Sequence, residues 1–316
     1  MAFQGNTWYT YLMYSLIAIV AFLGNGLVLY LLTTKSSYLK HSHNVFICSL
    51  AITDIITSIM LVFSRYLYLP PMPAGELSRV IYCKTIWSAW LLFTLGYISI
   101  YTCLALTIER WLAVVKPNFY RAVKPSLAMK AVVFVWVLGF LTNITTLFRV
   151  KYDEKKQQCS WTYLPVGNKE LPWLDFTLQS IIPFFSMLIL YCHILFTLKK
   201  MPFLDIGNGK PLRRITILAF AASCALVIGW LPSRVSFMLS KFGYVDSGGV
   251  AHYCLVMFSL ANSCVNPFLY GIYSSEFRKE FKVLFKFFKF SASVEPKENS
   301  KTKTTSHDAA QATSVC

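Results

Sequence analysis

Apolar residues along the chain gather into seven stretches, Tyr9–Thr34, Asn44–Leu69, Val80–Val114, Leu127–Phe148, Pro172–Leu198, Leu212–Ser240 and Val250–Tyr273, separated by short polar gaps. Most reach the roughly 20 residues a helix needs to cross a bilayer, and runs such as Thr85–Ile108 and Phe176–Leu198 contain no charge at all. Hydrocarbon offers no water to satisfy backbone groups, so such segments must be helical. The pattern predicts an all-α membrane protein, a seven-helix transmembrane bundle over residues 9–273. Beyond it, Phe277, Phe281, Leu284, Phe285 and Phe288 share one helical face and Arg278, Lys282, Lys286 and Lys289 another. That alternation predicts a short amphipathic eighth helix over residues 274–290, lying on the inner membrane surface. Residues 1–8 are expected to form an extracellular N-terminus, and residues 291–316, rich in Ser, Thr, Lys and Glu, a disordered cytoplasmic tail. The first 34 residues have neither a basic start nor a small-residue cleavage site, so the first span is expected to be its own insertion signal.

Composition sharpens this picture. With 56% hydrophobic and only 14% charged residues, the chain has more apolar side chains than one aqueous core hides, and the excess must face lipid. Of its 30 basic residues, 20 fall in the gaps Lys35–Lys40, Arg110–Lys130 and Lys199–Arg214 or after Tyr273. By the positive-inside rule these are cytoplasmic and the N-terminus is outside. The net charge of +16 therefore points to anionic inner-leaflet lipid and cytoplasmic partners, and not to nucleic acid. Cys83 and Cys159 both lie on the outer side, where a disulfide persists, and are expected to pair; two free thiols are the alternative. Asn143-Ile144-Thr145 has the pattern of a glycosylation site but falls within the fourth span.

Polar residues inside the spans carry the chemistry. Asp54 is a lone acid in mid-span, and an ionisable group at that depth is a functional hypothesis by default. Ser99 lies at similar depth, and Asn262 and Asn266, four apart, share a face of the seventh span. These four residues either hold a small cation or form a satisfied polar cluster. Pro183, Pro232 and Pro267 leave the carbonyls of Gln179, Ile228 and Ser263 without their helical partners. A passive kink suits Pro183, whereas Trp230, Asn262 and Asn266 near the other two prolines suggest repaired hinges.

At Glu109-Arg110-Trp111 the chain resembles the rhodopsin-like (class A) G-protein-coupled receptors. The likeness runs through all seven spans: Gly24-Asn25, Leu50-Ala51 with Asp54, Cys83, Glu109-Arg110-Trp111, Trp136, Cys159, Pro183, Tyr191, Trp230-Leu231-Pro232, Asn266-Pro267 and Tyr270, with Phe277 opening the amphipathic helix. The resemblance implies a cell-surface receptor, not an enzyme, that converts binding of an extracellular ligand into activation of a heterotrimeric G protein. It assigns the activation switch to Glu109, Arg110, Trp111, Tyr191, Asn266, Pro267 and Tyr270, and the pocket floor and hinge to Trp230 and Pro232. It also makes Asp54, Ser99, Asn262 and Asn266 an allosteric sodium site, with no other cofactor, and Ser and Thr of the tail substrates for a receptor kinase that recruits an arrestin.

Departures from the family pattern are informative. Trp111 replaces a tyrosine, Leu226 a phenylalanine, and Gly229 a cysteine, while Asn118 stands where an apolar residue is usual. No acid precedes the sixth span in Lys210-Pro211-Leu212-Arg213-Arg214, so no ionic latch from Arg110 to that helix is available and ligand-free signalling is expected. Leu92 occupies the position of the amine-receptor aspartate, which makes it an uncharged candidate for the ligand wall and sets biogenic amines aside. Arg234, with Trp230 and Phe237 on its helical face, and Arg65 from the second span are candidate contacts for an anionic group. A peptide C-terminus or a small acid would supply it. The competing reading is an ion-coupled transporter or channel using Asp54 as a relay, opposed by the lack of repeat symmetry. The histidines are scattered without metal-ligand spacing, which disfavours a metalloenzyme.

Overall fold

Seven helices long and apolar enough to cross a membrane appear in the computed structural model: Trp8–Thr34, Ser42–Val62, Glu76–Val115, Pro125–Phe148, Glu170–Lys200, Leu212–Lys241 and Val250–Ile272, hereafter the first to seventh spans. The structure describes residues 8–34, 40–64, 66–121, 124–162, 170–200, 209–246, 249–273, 278–279 and 282–283. The predicted eighth helix and tail, together with Arg65, lie outside these residues apart from the four at 278–279 and 282–283. The chain divides into two units, residues 1–278 and 279–316, and the bundle belongs to the first.

Burial ranks the helices. The most apolar stretch of the third span is 72% buried against 17% in the fourth, which makes the third the central helix. Around it Leu95, Ile98, Met187, Ile194, Leu226 and Trp230 form one core between the third, fifth and sixth spans. Tyr14, Ile17, Leu61, Tyr66, Leu92 and Leu260 form another between the first, second, third and seventh. Large apolar side chains such as Phe134, Phe185, Ile189 and Phe268 point outward, as expected where the surrounding solvent is hydrocarbon. Two glycines allow close approach. A Cβ at Gly24 would sit 2.8 Å from Pro267 Cγ, and one at Gly96 only 2.0 Å from Trp230 Cη2.

The second and third spans depart from the predicted helices. The second helix ends at Val62, seven residues before the predicted Leu69, because the chain turns at Ser64, whose hydroxyl donates to Leu61 O and accepts from Tyr66 N. The third span is not one continuous α-helix: a π-helical turn over Cys83–Trp87 precedes Ala89, which adopts left-handed backbone with φ 56°. Side chains repair that break. Ser88 Oγ accepts from Trp90 N, and Trp90 Nε1 donates to Asn143 O at 2.9 Å while Asn143 Nδ2 returns to Trp90 O and to Thr94 Oγ1. Asn143 marks the junction between the helices Pro125–Thr142 and Ile144–Phe148.

Beyond the fourth span, β1 (Val150–Asp153) and β2 (Gln158–Trp161) form an antiparallel hairpin in which Val150 faces Trp161. The Cys83–Cys159 disulfide ties β2 to the π turn of the third span, so the two thiols do pair. Val150 and Tyr82 bury this bridge.

Candidate functional site

At the hairpin end of the bundle a partly open cavity is walled by the third to seventh spans and by Trp161 of β2. Its surface combines the aromatic side chains Trp90, Phe93, Tyr97, Trp161 and Phe237 with polar and charged ones. Arg234 is buried there with its guanidinium 5.0 Å from the centre of the Tyr97 ring and 5.2 Å from that of Phe237. Its Nη2 donates to Gln179 Oε1 at 2.6 Å, and Gln179 Nε2 donates in turn to Thr142 O at 2.7 Å. Arg234 Nε is buried without a hydrogen-bond partner. Below this group Trp230 packs against Gly96 and lies 6.2 Å from Tyr97 between ring centres. The predicted set Trp230, Arg234 and Phe237 thus shares one region of the sixth span.

Leu92 requires a correction: it does not line the cavity but is 2% exposed in the core shared with Tyr14, Leu61 and Tyr66. Its neighbour Phe93 faces the cavity instead. Within the unbroken helix Trp90–Val115 successive side chains differ by about 100°, and the phase of this helix turns Phe93 to the cavity and Leu92 towards the first and second spans. Arg149 and Asp175 were not among the predicted site residues. They line the same cavity and pair through Nη1 and Oδ2 at 2.8 Å, with Thr145 Oγ1 also donating to Asp175. An arginine and an acid at the ends of predicted spans look like solvated termini, so periodicity gave no signal.

In mid-bundle Asn266 Nδ2 donates to Asp54 Oδ2 at 2.8 Å, and the Ser263 side chain bonds the same carboxylate. Ser99 and Asn262 are buried, yet neither bonds Asp54 among the described residues. The carbonyl of Ser263, freed by Pro267, accepts from Asn25 Nδ2 of the first span at 2.9 Å. Repair therefore comes from Asn25 and not from Asn262 or Asn266. Asn25 Oδ1 is buried with no donor. Neither the Asp54 carboxylate nor Asn25 Oδ1 is bonded to a basic side chain among the described residues.

At the opposite end Arg110, 2% exposed, is held through Nε and Nη2 by the carboxylate of the adjacent Glu109. Tyr120, in the short helix Pro117–Tyr120 that follows the third span, joins them: its hydroxyl donates to Glu109 Oε1 and accepts from Arg110 Nη2 at 3.2 Å. Burial pushes the Tyr120 phenol up to about 12, and the nearby Arg110 only partly offsets this. Trp111 Nε1 donates to His193 Nδ1 at 3.1 Å. Tyr191 is shared by Thr107, which donates to its hydroxyl at 3.2 Å, and by Ser223 at 3.2 Å; Tyr270 is buried nearby in the same bundle. Arg110 is thus paired with Glu109 and Tyr120.

A sequence model described as "7 transmembrane receptor (rhodopsin family)" matches residues 24–270, most of the chain. This chain belongs to that family. As a rhodopsin-family receptor it is a multi-pass plasma-membrane protein that couples binding of an extracellular ligand to activation of a heterotrimeric G protein. The family consists of signalling receptors, which are not enzymes, and the transporter or channel alternative gives way to this assignment. The receptor is similar to somatostatin receptor type 5 of Rattus norvegicus, 28% identical over 289 residues that cover 85% of this chain and 76% of the relative. It is also similar to somatostatin receptor type 1 of Rattus norvegicus and of Mus musculus, each 27% identical over 292 residues, covering 88% of this chain and 72% of the relative.

Proposed function

We propose that this receptor binds a ligand bearing an anionic group in the cavity beside the hairpin, and that the group engages Arg234. The observation that carries this reading is the buried Nε of Arg234, a cationic donor without a partner in the wall of this cavity. The hairpin end is the extracellular one, because the basic gaps lie at the other end and the disulfide needs an oxidising compartment. A peptide C-terminus or a small acid supplies the anion, and relatives named as somatostatin receptors favour a peptide.

Ligand seated above Trp230 biases the sixth span about Pro232, and Arg110 exchanges Glu109 and Tyr120 for a G-protein helix, Tyr191 and Tyr270. Two alternative partner sets for one buried guanidinium give the two states such a switch needs. Asn266 and Pro267 lie where the seventh span can follow this motion. Asp54, with Asn266, Ser99 and Asn262, would hold a sodium ion that balances the buried carboxylate and favours the resting state. Serines and threonines among residues 291–314 serve a receptor kinase and an arrestin, and the basic face of residues 278–289 contacts anionic lipid.

The test is a screen of the expressed receptor against a panel of G-protein reporters, with peptides and small carboxylic acids applied first. Arg234→Gln should weaken an acidic agonist far more than a neutral one; equal loss for both contradicts the proposal.

A further inference from the structure

We infer that the cavity is built for one carboxylate on an aromatic body, gripped between two arginines, Arg149 and Arg234, with Asp175 setting the strength of the grip. This rests on the reading of the cavity as the ligand site. Both arginines line it, one from the fourth span's end and one from the sixth span. Each has already committed part of its guanidinium within the protein, Arg234 Nη2 to Gln179 and Arg149 Nη1 to Asp175. Each retains one buried nitrogen with no partner, Arg234 Nε and Arg149 Nη2. Asp175 is paired with Arg149 and lines the same cavity as both arginines.

Stoichiometry selects the ligand group. Two guanidiniums facing one carboxylate leave a single surplus positive charge, and two orphaned donors match the two oxygens of one carboxylate. A phosphate, with a third oxygen and more charge, would require further donors. Around the cluster Trp90, Phe93, Tyr97, Trp161 and Phe237 offer rings, and Lys241 lies 4.5 Å from the Trp161 ring centre and 4.6 Å from that of Phe237. Those rings suit a flat apolar body next to the acid. A peptide ending in an aromatic residue and a free aryl acid share this chemistry.

Asp175 has a directional role that packing alone would not give. By occupying Arg149 Nη1 it competes with the incoming carboxylate, so removing its charge should strengthen acid binding, whereas a structural ion pair would only be weakened. The full receptor, purified in detergent, is tested by thermal shift with 3-phenylpropanoate and the tripeptide Gly-Gly-Phe, each compared with its amide. At least one acid should raise Tm while its amide does not, and which acid succeeds separates the small-molecule source from the peptide source. Arg149→Gln and Arg234→Gln should each lower affinity for that acid about 10- to 100-fold, the loss of a charged hydrogen bond. Asp175→Asn should raise it severalfold, a gain that misfolding cannot produce. Affinity unchanged in Arg149→Gln and in Asp175→Asn, with loss only in Arg234→Gln, overturns the two-arginine site and leaves the ligand cavity standing. Acids that bind no better than amides, alongside a neutral agonist blocked by Ser233→Trp, overturn the carboxylate site in the same way. An agonist indifferent to filling the cavity sinks the reading of the cavity itself.

Discussion

Tyr120 makes the resting contacts of Arg110 a three-membered group, and this decides what its loss should do. The phenol donates to Glu109 and accepts from Arg110, so Tyr120→Phe removes two bonds without disturbing volume. With a net worth of about 0.5–1.5 kcal/mol per hydrogen bond, the two lost bonds should raise ligand-free nucleotide exchange roughly 5- to 150-fold. An exchange rate indistinguishable from wild type in a purified G-protein assay would exclude a restraining role. Because burial holds the Tyr120 phenol up at about 12, it stays protonated at neutral pH and deprotonates only as pH rises through that value. The difference between wild type and Tyr120→Phe should therefore be flat from about pH 6 to about pH 9. Gly96 gives a complementary prediction on packing. Its Cα faces the Trp230 ring so closely that Gly96→Ala must displace the indole, at about 1–3 kcal/mol for an overpacked core. A fall in Tm of the detergent-purified receptor measures it.

Among the elements, the seventh span shows how a helix defect is tolerated in hydrocarbon. Pro267 cannot donate to Ser263 O, and Asn25 reaches across from the first span to do so. Asn25→Ala should cost about 1 kcal/mol, within the range seen for interhelical hydrogen bonds in membranes. Pro267→Ala restores a backbone donor, so adding Asn25→Ala to it should cost much less, and a double-mutant cycle read by thermal unfolding tests for that coupling. Additive losses would mean that the Asn25 amide does not act through this carbonyl. The bundle itself was legible from apolar run lengths, because hydrocarbon leaves the backbone no other solution. The partners of its defects were not. The Asn25 contact joins residues 238 positions apart, and nothing in either local pattern signals it. Leu92 failed for a related reason: which spans pack against each face of the helix Trp90–Val115 is set by the assembled bundle, and the position of Leu92 in the chain does not signal it. Residues that depend on one helix's own period, such as Trp230, Arg234 and Phe237, were placed together. Arg149 and Asp175, which meet only because the fourth and fifth spans converge, were invisible.

For the molecule as a whole, the cavity and the Arg110 group lie at opposite ends of one bundle, joined by the sixth span, whose Trp230 and Pro232 stand between them. Nothing passes between these ends except a shared conformational equilibrium, and linkage then fixes a reciprocal relation. If ligand raises affinity for nucleotide-free G protein by some factor, the G protein must raise ligand affinity by the same factor. Arg110→Ala removes the buried cation from one end and leaves every cavity residue in place, so ligand should still bind while that factor falls towards one. Coupling factors of about 5- to 150-fold are typical, large enough to read by competition binding with and without G protein. Retention of full reciprocity in Arg110→Ala would show that the energy linking the two ends travels through groups other than this guanidinium. Failure of ligand to bind that variant at all would instead mean that the two ends are not separable sites.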